Sequence, residues 1–124
     1  MASYTHVLHR DIETRSTINL RRVGAAKYAA KSSTEVICVA FDVDPDPVQL
    51  WLPGDPVPPE FIEAAADPSW IVCAHNDSFE SAIEQHLLAP RYDWPLIPLE
   101  RHRCTMAMSF ALGLPARRAS WPMH

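Results

Sequence analysis

The chain has 124 residues, 48% hydrophobic and 21% charged, which is enough for one domain with a core and too few for two. Its formal net charge of −4 excludes a broad basic surface, so any contact with nucleic acid would have to be local or carried by metal ions. Three widely spaced cysteines, no apolar signal core and no apolar run of membrane-spanning length predict a soluble, reduced protein of the cytoplasm that does not enter a membrane.

The first part of the chain is predicted to form three strands. Residues 5–13 are the first strand, and the polar, Ala-rich residues 15–31 are predicted to be a long loop that can include a short helical turn. The nearly continuous apolar run of residues 34–43 is typical of a central strand buried on both faces. An Asp-Pro-Asp-Pro turn follows, and residues 48–52 return as the third strand. Strands at such short spacing predict an antiparallel meander.

Helices alternate with strands in the remainder. Proline precedes a run of good helix formers at residues 60–66, which predicts a helix start. Residues 70–74 are a short buried strand that leads into a helix, which is predicted to end before Pro90. A further helix is predicted at residues 106–112, after a short strand, and residues 116–124 lack periodicity. This order predicts a mixed sheet with helices packed on it.

The first candidate site is the acidic pair at the end of the first strand. Side chains alternate across a strand, so Asp11 and Glu13 project from the same face. Two adjacent carboxylates repel each other unless a cation neutralises them, and Mg²⁺ or Mn²⁺ prefers such oxygen ligands. The pair is therefore interpreted either as half of a metal site or as two solvated acids at a strand end.

A second acidic cluster lies where the strand of residues 70–74 gives way to a helix. Glu80, one helical turn along, is the candidate third metal ligand. It competes with a structural alternative, a capping box in which Asp77 is the N-cap and Glu80 the reciprocal acceptor. Glu84, one turn further, is predicted to face solvent.

Two other residues of this junction have alternatives of the same kind. His75 is interpreted either as a structural histidine, of the core or supporting a site, or as a catalytic one. Phe79 is interpreted either as a core residue or as a platform on which a base stacks.

Together these motifs resemble a known family. Asp11-Ile-Glu-Thr14, the strand of residues 35–42 and Ala74-His-Asn-Asp-Ser-Phe-Glu80 resemble the DEDD (DnaQ-like) 3′–5′ exonucleases, especially the proofreading domain of phage and prophage family A DNA polymerases. The resemblance covers residues 5–115. It implies a ribonuclease H-like fold for a single domain of residues 1–124, of which residues 116–124 form an irregular tail.

The resemblance also implies a site with two divalent ions, Mg²⁺ or Mn²⁺. By position, Asp11 would bridge both ions and Glu13 would bind one. Glu80 would supply the carboxylate of the second motif, where many members have Asp. One ion would activate a water and the other would stabilise the leaving 3′ oxygen.

The implied substrate is the 3′ end of DNA, single-stranded or frayed. Thr14, His75, Asn76 and Phe79 are the candidates for holding the terminal nucleotide. The implied setting is the cytoplasm of a bacterium or of a phage-infected host, with a DNA polymerase as a partner.

The third motif of the family, a Tyr or His followed four residues later by Asp, is not matched. Residues 116–124 contain no acid. The expectation is a C-terminally incomplete ribonuclease H-like fold with weak or no exonuclease activity as a monomer. The alternative is a catalytically inactive remnant that acts as a binding or oligomerisation module, with a second copy or a polymerase as its partner. A nuclease acting on RNA is a third, weaker hypothesis.

Overall fold

A computed structural model describes residues 4–106. Its centre is one five-stranded sheet in the order β3-β2-β1-β4-β5. β1 and β2, and β2 and β3, are antiparallel, while β4 lies parallel to both β1 and β5. The predicted mixed sheet, a meander extended by parallel strands, is confirmed. The strands are β1 (His6–Arg15), β2 (Glu35–Val43), β3 (Gln49–Trp51), β4 (Trp70–Ala74) and β5 (His102–Cys104).

The helices are short and follow the strands closely. No helix within residues 4–106 is long and apolar enough to cross a membrane. The helical segments are α1 (Leu20–Val23), α2 (Ala25–Ala30), α3 (Pro59–Ala66), α4 (Asp77–Ile83), a π-helix (Glu84–Leu88), α5 (Ala89–Tyr92) and a 3-10 turn (Leu99–Arg101).

The two faces of β1 have different environments. Leu8 and Ile12 belong to the hydrophobic core, together with Ile83 and Leu87 of the helical layer. Asp11 and Glu13 lie on the opposite face, where their register partners on β2 are Ala40 and Cys38. Because side chains alternate along a strand, one strand serves both the core and a polar surface.

Aromatic side chains fill the core between the sheet and the helices. Phe61 of α3 packs edge-on against Phe41 of β2, with ring centroids 5.3 Å apart, and lies 4.6 Å from Trp94. Trp51 of β3 makes edge contacts with Trp94 and Tyr92. Such tilted and edge-to-face arrangements are the favoured ones for aromatic pairs.

Arg101 joins the last described strand to the end of α3. Its side chain is buried, and its guanidinium donates hydrogen bonds to four backbone carbonyls. Carbonyls in the last turn of a helix have no partner within the helix, so a cation there satisfies them. The acceptors are the carbonyls of Ala64, Ala65, Asp67 and Trp70.

Three predictions for local structure were wrong. Residues 15–31 hold two short helices, joined at Gly24 with φ of +81°, and Tyr28 of the second is buried. Pro90 does not end the helical run, because it lies in the first turn of α5, where its missing N–H costs no hydrogen bond. β2 is buried on both faces only from Val39 onward. The predicted helix at 106–112 and the tail at 116–124 fall almost entirely outside the described residues.

Candidate functional site

The site begins where β4 stops pairing with β1. The parallel pairing runs from His6 to His9 on β1, whereas β1 itself continues to Arg15. Asp11 therefore lies just beyond the end of the neighbouring strand, and it is 8% exposed. Glu13 is on the same face and exposed. Burial raises the pKa of the Cys38 thiol, and the charges of Glu13 and Asp11 add to that effect, which agrees with both acids facing Cys38.

Glu80 of α4 reaches this same edge of β1. Its carboxylate accepts hydrogen bonds from the backbone N–H of Ile12 and from its own N–H. The residue is only 3% exposed, and its Oε2 has no hydrogen-bond partner among the described residues. Burial raises the pKa of Glu80 to about 8 against the opposing charge of Arg10, and the negative charge of Asp11 adds to the rise. The structure thus brings Asp11 and Glu80 together.

This pair has the chemistry of a divalent-cation site. Carboxylate oxygens suit Mg²⁺ and Mn²⁺, and a cation would relieve both the repulsion and the unsatisfied Oε2. Glu80 and Asp11 therefore fit such an ion. No group of three or more His, Cys, Asp or Glu side chains within residues 4–106 is arranged to hold a metal. The set of Asp11, Glu13 and Glu80 as joint ligands of two ions stays a prediction.

The capping-box alternative for Glu80 was wrong. The N-cap of α4 is Asn76, and its side chain makes no capping hydrogen bond. The Asp77 carboxylate contacts Arg10 instead, whose Nη1 lies 2.8 Å from Oδ1, and His102, whose Nδ1 lies 2.9 Å from Oδ2. Burial by itself would raise the pKa of Asp77, but the hydrogen bond from His102 and the charge of Arg10 outweigh it and lower the pKa.

Arg10 is the centre of a buried ion cluster that consists of Arg10, Asp77, Glu84 and His102. Its Nε and Nη2 donate hydrogen bonds to the two carboxylate oxygens of Glu84 at 2.8 and 2.9 Å. Nε2 of His102 lies 2.9 Å from the carbonyl oxygen of Ile97. Both ring nitrogens thus lie within hydrogen-bond distance of oxygen atoms, and Nδ1 is also 3.3 Å from Nη2 of Arg10. Glu84 was predicted to face solvent, which was wrong because the buried guanidinium requires a counter-charge there.

The predicted nucleotide-binding residues fall into two groups. Thr14 Oγ1 is 2.9 Å from the hydroxyl of Tyr28, and the Tyr28 ring packs against Phe79 with centroids 6.0 Å apart. Phe79 is half-buried and packs against the core, in line with its structural alternative. Thr14 and Phe79 are therefore linked through one side chain, close to the Asp11–Glu80 edge.

His75 and Asn76 lie at the junction of β4 and α4. The carbonyl of His75 accepts the backbone N–H of Met106 at 2.9 Å, and its Nδ1 is 3.4 Å from Thr105 Oγ1. These contacts tie His75 to the chain that leaves β5. The carbonyl of Asn76 accepts the first N–H groups of α4, and its side chain is exposed. Their contact with a nucleotide stays a prediction.

Comparison with known proteins finds one informative similarity. The sequence is 32% identical over 107 residues to a DNA polymerase of Bacillus phage SP02. The alignment covers 85% of this chain and 16% of the phage protein, so the chain spans a small part of that relative. No protein-family model matches the sequence. No solved structure matches it either.

Sequence reasoning missed the ion cluster around Arg10. A signal was present, since Arg10 stands between Leu8 and Ile12 on the apolar face of β1 and so had to be buried. A buried arginine needs acids, and Asp77 and Glu84 are seven residues apart on one side of a helix.

Proposed function

We propose that this chain is a metal-dependent 3′–5′ exonuclease-type domain that hydrolyses phosphodiester bonds at DNA 3′ ends, related to polymerase proofreading. The observation that carries the proposal is the buried Glu80 carboxylate beside Asp11, with Oε2 lacking a hydrogen-bond partner among the described residues. A buried acid pair of this kind is expected where a cation and a phosphate meet, because perturbed carboxylates cluster at functional sites.

Two further findings support the proposal. The strand order, with β2 alone running against the other four strands, is compatible with a ribonuclease H-like fold. The phage relative is named a DNA polymerase, and its similarity runs over most of this chain. A proofreading-type domain is the part of a polymerase that this topology and these acids fit.

Each residue has a definite task in this proposal. Asp11 and Glu80 hold Mg²⁺ or Mn²⁺ at the open edge of β1, and Glu13 is the third proposed ligand. The bound cation supplies positive charge at the scissile phosphate. Thr14 and Phe79, which share contacts with Tyr28, form the side on which the terminal nucleotide rests. A DNA polymerase and a single-stranded 3′ end are the proposed partners.

The test is nucleotide release from 5′-labelled single-stranded DNA with Mg²⁺, Mn²⁺ or EDTA. We expect EDTA-sensitive shortening that Asp11→Asn and Glu80→Gln each reduce by at least about 100-fold, the scale for losing one charge-stabilising group. Glu63→Gln is the matched control, because Glu63 is an exposed acid on α3. Activity that survives Asp11→Asn would refute the assignment, and an RNA substrate of the same sequence tests the preference for DNA.

The second candidate is a catalytically inactive domain that acts as a binding or oligomerisation module. The lack of a three-ligand group within residues 4–106 favours it. Titration calorimetry with Mn²⁺ and size-exclusion chromatography distinguish the two. Metal binding that Asp11→Asn abolishes supports the enzyme, whereas a stable dimer without metal binding supports the module.

A further inference from the structure

We propose that Arg10 is a positioning residue that holds Glu80 beside Asp11. It does so by binding Asp77 of α4 and Glu84 of the π-helix, the acids that precede and follow Glu80 in the sequence. This inference rests on the proposed function, because it concerns the same pair of carboxylates. It assigns a task to a residue that touches neither a cation nor DNA in the proposal.

The contacts of the Arg10 side chain have a specific geometry. Arg10 precedes Asp11 in β1 and points to the opposite face, into the helical layer. There Nε and Nη2 of its guanidinium donate hydrogen bonds to the Glu84 carboxylate, at 2.8 and 2.9 Å. The third nitrogen, Nη1, lies 2.8 Å from Oδ1 of Asp77. A planar guanidinium makes such a bidentate contact in one orientation only, which fixes Glu84 relative to β1, and the ion pair with Asp77 adds attraction at the start of α4.

Helix periodicity places Glu80 between the two acids. Asp77 and Glu84 are seven residues apart, so they fall on one side of the helical run, with Glu80 about one turn from each. The π-helix begins at Glu84. Single π turns inside helices are frequent at functional sites. The Glu80 carboxylate in turn accepts the backbone N–H of Ile12, so the helical run contacts β1 at Arg10 and again at Ile12.

A buried ion cluster is weak evidence for a contribution to core stability. Two buried acids and a buried guanidinium lose hydration, and well-packed apolar residues of similar volume are often as stable or more so. The hydrogen-bonded guanidinium also sets an angle and a distance between helix and strand. A metal site needs that fixation, since groups that orient ligands typically contribute about 10–100-fold to metal affinity.

The test compares Mn²⁺ affinity with folding for two variants of the full chain. Arg10→Lys keeps the positive charge but cannot form the bidentate hydrogen bonds to Glu84. We expect it to weaken Mn²⁺ binding by at least about tenfold. The triple variant Arg10→Met, Asp77→Asn, Glu84→Gln removes the charge of the guanidinium together with those of its two acids, so none of these three is left without its counter-charge. We expect it to fold, with a circular dichroism spectrum like that of the wild type, and to show the same loss of affinity.

Mn²⁺ binding is measured by electron paramagnetic resonance of free Mn²⁺, and folding by thermal unfolding in EDTA. A folded Arg10→Lys or triple variant that retains wild-type affinity within about twofold overturns the role of Arg10, while the proposed function stands. A wild-type chain that binds no Mn²⁺, or one whose binding Asp11→Asn leaves intact, overturns the proposed function and this inference with it. Weaker binding in both folded variants supports the inference.

Discussion

Ionisation of Glu80 should oppose folding, and Glu80→Gln should remove that effect. Glutamine has the shape of the protonated acid and keeps an acceptor for the Ile12 N–H. The pKa of Glu80 is about 8 in the folded protein and ordinarily 4.5. Between these pH values the folded protein retains a proton that the unfolded chain has released. The free energy of unfolding of the wild type must therefore fall as pH rises through this window.

The size of the effect follows from the two pKa values. At 1.36 kcal/mol per pKa unit, complete ionisation costs at most about 5 kcal/mol, a large share of the stability of a small domain. Solvent screening does not reduce this figure much, because Glu80 is 3% exposed. Relative to the wild type, Glu80→Gln should gain stability steadily from about pH 5 to about pH 8 and no further above that.

The assay is urea unfolding in EDTA at several pH values, followed by tryptophan fluorescence. Glu63→Gln, an exposed substitution on α3, should leave the pH profile unchanged. Mg²⁺ or Mn²⁺ at about 100 times its Kd should restore about 2.7 kcal/mol to the wild type near pH 8, and nothing to Glu80→Gln. Parallel pH profiles for the wild type and Glu80→Gln would refute the argument that burial raises the pKa of Glu80 in the folded protein.

Four further substitutions, one of them a surface control, test other parts of the structure by urea unfolding. Glu84→Ala leaves the buried guanidinium of Arg10 short of a partner and should cost about 3–5 kcal/mol; a loss under about 1 kcal/mol would show that the pair is exposed in solution. Phe61→Ala empties a site that is 1% exposed and should cost about 3–5 kcal/mol, whereas Leu99→Ala, 62% exposed, should stay within about 0.5 kcal/mol. Arg101→Met should cost about 2–4 kcal/mol, because several carbonyls at the end of α3 lose their donor; an unchanged midpoint would mean that water replaces the guanidinium there.

Most of the sheet could be predicted because its strands are apolar runs bounded by turn residues. Residues 70–74, for example, follow Asp67-Pro68 and match β4. The failure at residues 15–31 has a physical cause. Helices of four and six residues carry no periodic pattern, and they form because Tyr28 and Ala29 are buried against the rest of the fold.

The site could be predicted only in part. The side shared by Asp11 and Glu13 follows from strand alternation, and the approach of Glu80 to Asp11 agrees with the motif spacing. The partners of Asp77 and Glu84 could not be assigned, because an acid in a first helical turn is typical of a cap and an acid on a short helix is typical of a surface. Only the fold shows that both face the same arginine.

The parallel pairing of β1 with β4 has a consequence for the order of folding. β1, β2 and β3 pair with neighbours close along the chain, whereas His6 pairs with Trp70, 64 residues away in sequence. Long loops close slowly, so we expect the meander to form first and β4 and β5 to join it later. Asp11 lies on a strand of the meander, which is expected to form early, whereas Glu80 follows β4, which is expected to join later. Mixing in a stopped-flow instrument should therefore show the capacity to bind Mn²⁺ in the slowest phase, after most of the meander is protected from hydrogen exchange.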